Sequence, residues 1–188
     1  MESISFTRMD QGTAEEYLWL EDIGAEHRRA TQADNLLHLL KMMQGPTLGY
    51  QVDRYVHSLQ TATRAQRDGA SEETVVAALL HDIGDIMAPD NHSAAAAAVL
   101  RPYVGDETHW VIKHHGVFQG YYYWHHIGGD RDARERYRGH PHFQACADFC
   151  ERWDQTSFDP NYDTLPLEAF EPMLRRLLAR EPRSFEGS

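Results

Sequence analysis

Apolar residues recur at intervals of three and four along almost the whole chain, and no stretch alternates apolar with polar as a half-buried strand would. That period predicts helices over residues 13–22, 32–44, 52–68, 72–82, 91–102, 106–125, 130–138, 141–153 and 166–180. Several of these starts carry suitable chemistry. Ser71 stands before Glu72 and Glu73, and Asp106 before Glu107, so a capping oxygen or a first-turn acid meets the positive end of the helix dipole. Gly45-Pro46 and Gly69 interrupt the pattern, and Asp159-Pro160 through Pro166 reads as an ordered loop. There is no internal repeat and no low-complexity linker. The expectation is an all-α bundle, a single domain over residues 1–188, with residues 1–30 as an N-terminal arm or flap.

Composition narrows the classes. With 41% hydrophobic and 25% charged residues, the 188-residue chain has the make-up of a globular domain. It contains no apolar run near the roughly 18 residues that span a bilayer. The opening MESISFTRMDQGTAEEY has neither a basic start nor an apolar core, so no signal peptide is expected and the cytoplasm is the expected location. A net charge of −11 repels a long polyanion, and no basic stripe with interleaved aromatics is present. Neither nucleic acid nor membrane is therefore an expected partner; a small molecule is. Cys146 and Cys150, four apart on a predicted helix, read as reduced structural thiols.

Histidine changes the picture: there are 12, unevenly placed. The run Val75-Val76-Ala77-Ala78-Leu79-Leu80 is apolar all round, the mark of a buried helix, and it leads directly into His81-Asp82. An imidazole and a carboxylate at such a place carry a desolvation cost that either an ordinary hydrogen bond or a metal must offset. Gly84 lets the helix open there, so both side chains can turn toward one centre. His57 lies 24 residues earlier, His92 opens HSAAAAAVL, His114-His115 lie within WVIKHHGVFQGYYYWHH, and Asp154 closes FQACADFCERWD. Each alone is an unremarkable surface or core group. Together they bring imidazole and carboxylate from five helices, a donor set that suits iron, manganese or zinc.

The order His57, His81-Asp82, Asp154 resembles the HD-domain superfamily, whose all-α core holds divalent metal, and the likeness covers roughly residues 45–160, the metal-binding core. The additional His92 and His115 resemble its six-ligand, two-metal branch. The segment His57-Ser58-Leu59-Gln60-Thr61-Ala62 is similar to the His-x-x-Gln-Thr-Ala of myo-inositol oxygenase and of the organophosphonate-cleaving HD oxygenases. The resemblance implies an HD-domain helical bundle in which His57, His81, Asp82 and Asp154 hold one iron. His92 and His115 would hold a second, with Asp82 bridging. His114 and His115 are separated only by the family pattern, which sets the ligand just before Gly-x-x-Gln.

Two chemistries follow from such a site. In the hydrolytic one, metals act as Lewis acids toward a phosphomonoester or nucleotide. In the oxidative one, a mixed-valent Fe(II)/Fe(III) pair chelates a hydroxylated substrate and uses O₂ as co-substrate. The six-ligand set and the Gln-Thr-Ala segment favour the second. The stretch HHGVFQGYYYWHHIGGDRDARERYRGHPHF is similar to HD oxygenases acting on 1-hydroxy-2-(trimethylammonio)ethylphosphonate, which yield glycine betaine and phosphate. If the helix runs on past His115, Gln119, Tyr122 and His126 share its face at i+4, i+7 and i+11, and Phe118, Tyr121, Tyr123 and Trp124 crowd the same segment. These rings could be core packing or a cage for a quaternary ammonium. Asp85 could complement that cation or orient a ligand histidine. Tyr50 falls where the related oxygenases carry a lid. Three cations of the aminoethylphosphonate-cleaving relatives are replaced here by Asp85, Gln119 and Glu151, which leaves Arg131, Arg134 and Arg138 as candidates to meet a phosphonate.

Overall fold

A computed structural model describes residues 2–183. Among them the regular structure is entirely helical. Seven α-helices follow in order: α1 (Ala14–Met42), α2 (Arg54–Arg67), α3 (Glu72–Leu80), α4 (His92–Leu100), α5 (Asp106–Tyr123), α6 (Phe143–Phe149) and α7 (Glu171–Leu178). No described helix is long and apolar enough to cross a membrane.

The first two predicted helices are in fact one, 29 residues long. The polar stretch between them, Glu21 to Gln32, has no proline and one glycine, and is rich in Glu, Ala and Arg, which propagate a helix without needing a core face. The N-terminus of α1 is well built. Thr13 accepts from the Glu16 backbone N–H, while the Glu16 carboxylate accepts from the N–H groups of Thr13 and Ser5. Those bonds hold the Glu16 carboxyl down at about 2. Of residues 1–30, expected to form an arm or flap, the described residues 2–13 make a short segment tethered through Glu16 and residues 14–30 belong to α1.

The other differences lie at helix ends. α5 stops at Tyr123 and tightens into a 3-10 turn over Trp124–Ile127, closed by Gly128 at φ +80°. Residues 130–138 make only a 3-10 turn, Ala133–Tyr137. The predicted 141–153 helix becomes α6 followed by a π-helical turn, Cys150–Asp154. The last one begins at Glu171 because Pro172, lacking an N–H, fits only a first turn.

The core forms around α3. Residues Val75 to Leu80 are each at most 1% exposed, so beyond its first turn this helix has no solvent face. α2, α5 and α7 pack on it, and α4 lies along α5. Thiols join α5 to α6: Cys146 Sγ donates to the Val111 carbonyl at 3.6 Å and Cys150 Sγ to the His115 carbonyl at 3.4 Å. Both cysteines are free, as expected.

Leu79, fully enclosed in this layer, tests how tightly it packs. Leu79→Ala should lower unfolding stability by about 2–5 kcal/mol through lost transfer energy and a residual cavity, read from the denaturant midpoint.

Candidate metal centre

Four histidines and two aspartates converge at one end of α3, each from a different structural device. His57 comes from the first turn of α2, whose start is set by Asp53 accepting from the Val56 N–H at 2.8 Å. α3 ends at Leu80, so His81 and Asp82 lie on the unwinding turn and both face inward. His92 opens α4, His115 lies in mid-α5, and Asp154 ends the π-helical turn. The wider turn places one extra residue before Asp154 and re-aims it; such turns recur at functional sites. His57, His81, Asp82, His115 and Asp154 are all at most 4% exposed, and His92 stands at the rim.

The orientation of the rings follows one rule. The Nδ1 of His57 meets the Ser157 carbonyl at 2.9 Å, His81 that of Ala78 at 2.8 Å, His115 that of Ile112 at 2.7 Å, and His92 that of Pro89 at 3.1 Å. A carbonyl can only accept, so each Nδ1 carries a proton and each neutral ring turns its Nε2 lone pair into the centre. Those Nε2 atoms meet two carboxylates and one another. His57 and His81 Nε2 are 3.1 Å apart, and a buried Asp154 Oδ2 has no hydrogen-bond partner. A cluster of converging acceptors with few donors is repulsive unless a cation occupies it.

Asp82 divides its oxygens. Its Oδ2 lies 3.5 Å from His57 Nε2 and 3.4 Å from His81 Nε2, while its Oδ1 lies 3.6 Å from His92 Nε2 and 3.2 Å from His115 Nε2. Asp154 Oδ1 joins the first group, 3.3 Å from His57. Two donors each about 2.1 Å from one ion stand about 3.0–3.4 Å apart, close to these spacings. Within the described residues, His57/His81/Asp154 and His81/Asp82/His115 form triads whose donor atoms suit a metal ion. Both triads include His81, neither includes His92, and the donor set fits a divalent metal ion.

Electrostatics point the same way. Burial depresses His57 and His115, but the carboxylates of Asp154 and Asp82 outweigh it and raise both. Burial wins at His81, which falls to about 4. Burial opposes ionisation of Asp82 as well, yet the surrounding histidines hold it well below the usual carboxylate range. The two aspartates therefore draw positive charge into an otherwise dry site.

The approach of α4 depends on two glycines. A Cβ on Gly84 would stand 2.7 Å from the His92 Cα, and one on Gly116 would stand 2.8 Å from Ser93 Oγ and 3.6 Å from His92 Nε2. Buried Ala96 and Ala97 continue this close packing against α5. Gln60, from the segment that singled out His57, is no donor to the centre. Its amide clamps the backbone of Asp159, donating to the carbonyl at 2.6 Å and accepting from the N–H at 3.3 Å. That fixes the loop carrying Ser157 and Phe158.

Beside the centre opens a cavity of about 580 Å³, lined on one side by Asp82, His92, His115 and Asp154. Of the residues expected near substrate, Tyr50, Gln119 and Tyr122 line it. Gln119 donates to Asp154 Oδ1 at 3.1 Å. Asp85 lies behind His92, its Oδ1 3.4 Å from Nδ1. His126 is not brought to the cavity; the 3-10 turn ends the helical phase at Trp124, and His126 is exposed against His125. Nor are the candidate arginines. Arg131 and Arg134 lie over the Tyr121 ring, and Arg138 is paired with Glu135. His114 faces away, stacked on Trp110 at 4.2 Å, so His115 is the inward member of the pair.

Several cavity residues escaped the sequence reading, among them Arg54, Lys113 and Phe158. Arg54 pairs with Asp82 at 3.4 Å and Asp85 at 3.2 Å; its position three before His57, on the same helix face, was the available signal. Phe158 stacks between Tyr50 and His57 with centroid distances of 5.0 and 4.4 Å, and lies in a loop where no periodicity exists to find it. Tyr123 and Trp124 complete the aromatic wall, whereas Phe118 is core.

The fold and this centre are those of the HD domain: its family model matches residues 54–155, over half of the chain, and the chain belongs to that family. No curated protein matches it. The residues expected by resemblance to bind metal are thus the buried cluster of an HD-domain protein, the kind of site a metal-dependent enzyme uses.

Gly84→Ala should push α4 outward and lower metal retained per chain by about 10-fold or more, the effect of displacing a ligand's support, with helicity preserved by circular dichroism.

Proposed function

We propose that the protein is an O₂-dependent diiron oxygenase that cleaves the carbon–phosphorus bond of a small 1-hydroxyphosphonate, with 1-hydroxy-2-(trimethylammonio)ethylphosphonate as its substrate. The observation carrying this reading is the division of Asp82, with one carboxylate oxygen toward His57 and His81 and the other toward His92 and His115. A single-metal hydrolase has no use for the second pair. When bound, the iron pair would chelate the hydroxyphosphonate and reduce O₂. The reaction converts substrate and O₂ into glycine betaine, phosphate and a proton; the hydroxyl-bearing carbon loses four electrons and O₂ gains four.

The chain's own residues would then bind and orient. Tyr50, Tyr122, Tyr123, Trp124 and Phe158 offer ring faces to a trimethylammonium group. Tyr122, its hydroxyl pushed up to about 12 by burial, stays neutral there. Arg54 and Lys113 are the cations on this wall that can receive phosphonate charge, taking the part expected of Arg131, Arg134 or Arg138. Asp85 holds His92 from behind. Gln119 keeps Asp154 aimed.

Metal analysis and O₂ uptake test the reading together. Protein purified with iron should hold two irons per chain and consume O₂ only with the hydroxyphosphonate, releasing phosphate. His92→Ala should retain one iron, and a variant still holding two would disprove the second-site assignment. Anaerobic hydrolysis of a phosphomonoester with magnesium or manganese would instead make it a phosphohydrolase. Arg54→Gln should raise KM for the hydroxyphosphonate about 10- to 100-fold, the size of a lost charged hydrogen bond at about 1.5–3 kcal/mol; unchanged KM would remove Arg54 from the substrate site.

A further inference from the structure

A second cavity, of about 500 Å³, opens between the middle of α1 and the segments that follow α4 and α7. His27, Arg28, Thr31, Gln32 and Asn35 form its α1 wall. At about 100° per residue these five fall within one arc of roughly 140°. That arc lies beside the one through which Ala33, Leu36, Leu37 and Leu40 enter the core, so the packing of α1 sets the wall in place. Pro102, Tyr103 and Pro182 stand opposite, and the Arg183 backbone N–H joins the two segments there by donating to the Pro102 carbonyl at 3.0 Å. α4 separates this cavity from the metal centre. His92 opens that helix and Pro102 follows its end, about 15 Å further on.

The wall has one polarity. None of the described residues that line it is acidic, in a chain with 29 acidic and 18 basic residues. Arg28 stands apart among the described arginines. Every other one is engaged, most of them by a carboxylate or an aromatic ring, whereas Arg28 has no ion pair, ring contact or side-chain hydrogen bond among the described residues. Beside it, Tyr103 Oη donates to Gln32 Oε1 at 2.7 Å, so that carbonyl is spent and the Gln32 amide N–H groups remain. The His27 ring and the Asn35 amide add N–H groups of their own. Thr31 turns away, its hydroxyl donating to the His27 carbonyl at 2.9 Å. Donors gathered around an unpaired guanidinium suit an oxyanion, which Arg meets through two parallel N–H bonds. The Tyr103 ring and the two prolines offer flat apolar surface next to it.

We propose that this cavity is a binding site for a small organic anion, a carboxylate or phosphoryl group carried on an apolar body. Arg28 receives the oxyanion, the Gln32 and Asn35 amides complete its shell, and Tyr103 with Pro182 flanks the body. A net charge of −11 does not oppose such a ligand, because the carboxylates lie elsewhere and the local field on this wall is positive. No residue lines both this cavity and the one beside the metal centre, so the site is independent of the oxygenase reading.

Isothermal titration of the metal-loaded full chain with benzoate and with phenyl phosphate reads the site, and phenol supplies the same kind of ring without the anion. At least one of the two anions should occupy a site that Arg28→Glu loses and Arg54→Gln keeps, and which of them does so tells carboxylate from phosphoryl. Arg28→Gln should weaken that binding about 10-fold or more, the loss of a charge-assisted hydrogen bond. Helicity and metal content should be unchanged in both Arg28 variants. Phenol should not bind. The proposal is overturned if neither anion binds, if phenol binds as well as they do, if Arg28→Glu binds like the wild type, or if Arg54→Gln abolishes all binding.

Discussion

Four imidazole lone pairs and two carboxylates pointing at one another define this molecule's central constraint. Buried acceptors of one sign repel, and each has given up water to be there. Asp82 lies at the middle of the arrangement, 4% exposed, with histidines from three helices and from its own turn around its two oxygens. A scaffold can hold such a group only by enclosing it firmly and by leaving room for cations. The buried run from Val75 to Leu80 in α3 supplies the enclosure, since a segment with no solvent face delivers His81 and Asp82 to a fixed depth.

The histidines are all aimed by backbone carbonyls, with Asp85 also standing behind His92. Each Nδ1 is spent on a carbonyl, three of them from a turn on the histidine's own segment and one, for His57, from Ser157, 100 residues away. That long-range bond explains why α2 carries buried polar groups. Gln60 and Thr63 both fasten the 157–165 loop, Thr63 by accepting from the Leu165 N–H at 3.1 Å. Loop, helix and ligand orientation are one unit, so a change in the loop reaches the metal ligands without touching them.

Access to the centre is lopsided. One side is core, with Phe149 edge-on to His81 and His115. The other is a cavity whose wall mixes aromatic faces with one arginine held by acids. The overall charge of −11 is offset locally on this wall by Arg54 and Lys113.

The helical class, the buried run of α3 and the histidines and aspartates that converge were legible in the chain, because each leaves a local trace: a 3.6-residue period, an apolar run ending in His81-Asp82, a pattern of spaced histidines and aspartates. The Gln-Thr-Ala segment was legible as a motif, though its physical job, clamping a loop, was not. What periodicity could not carry was phase beyond a helix end. Trp124 folds against Gly120, the helix tightens, and His126 leaves the face it would have shared with His115. Likewise the stacking of Phe158 on His57 joins residues about a hundred positions apart, and the π-helical turn before Asp154 has no periodic trace in the chain. Residue identity specified which donors the protein owns; only packing in three dimensions could decide which of them face the same point.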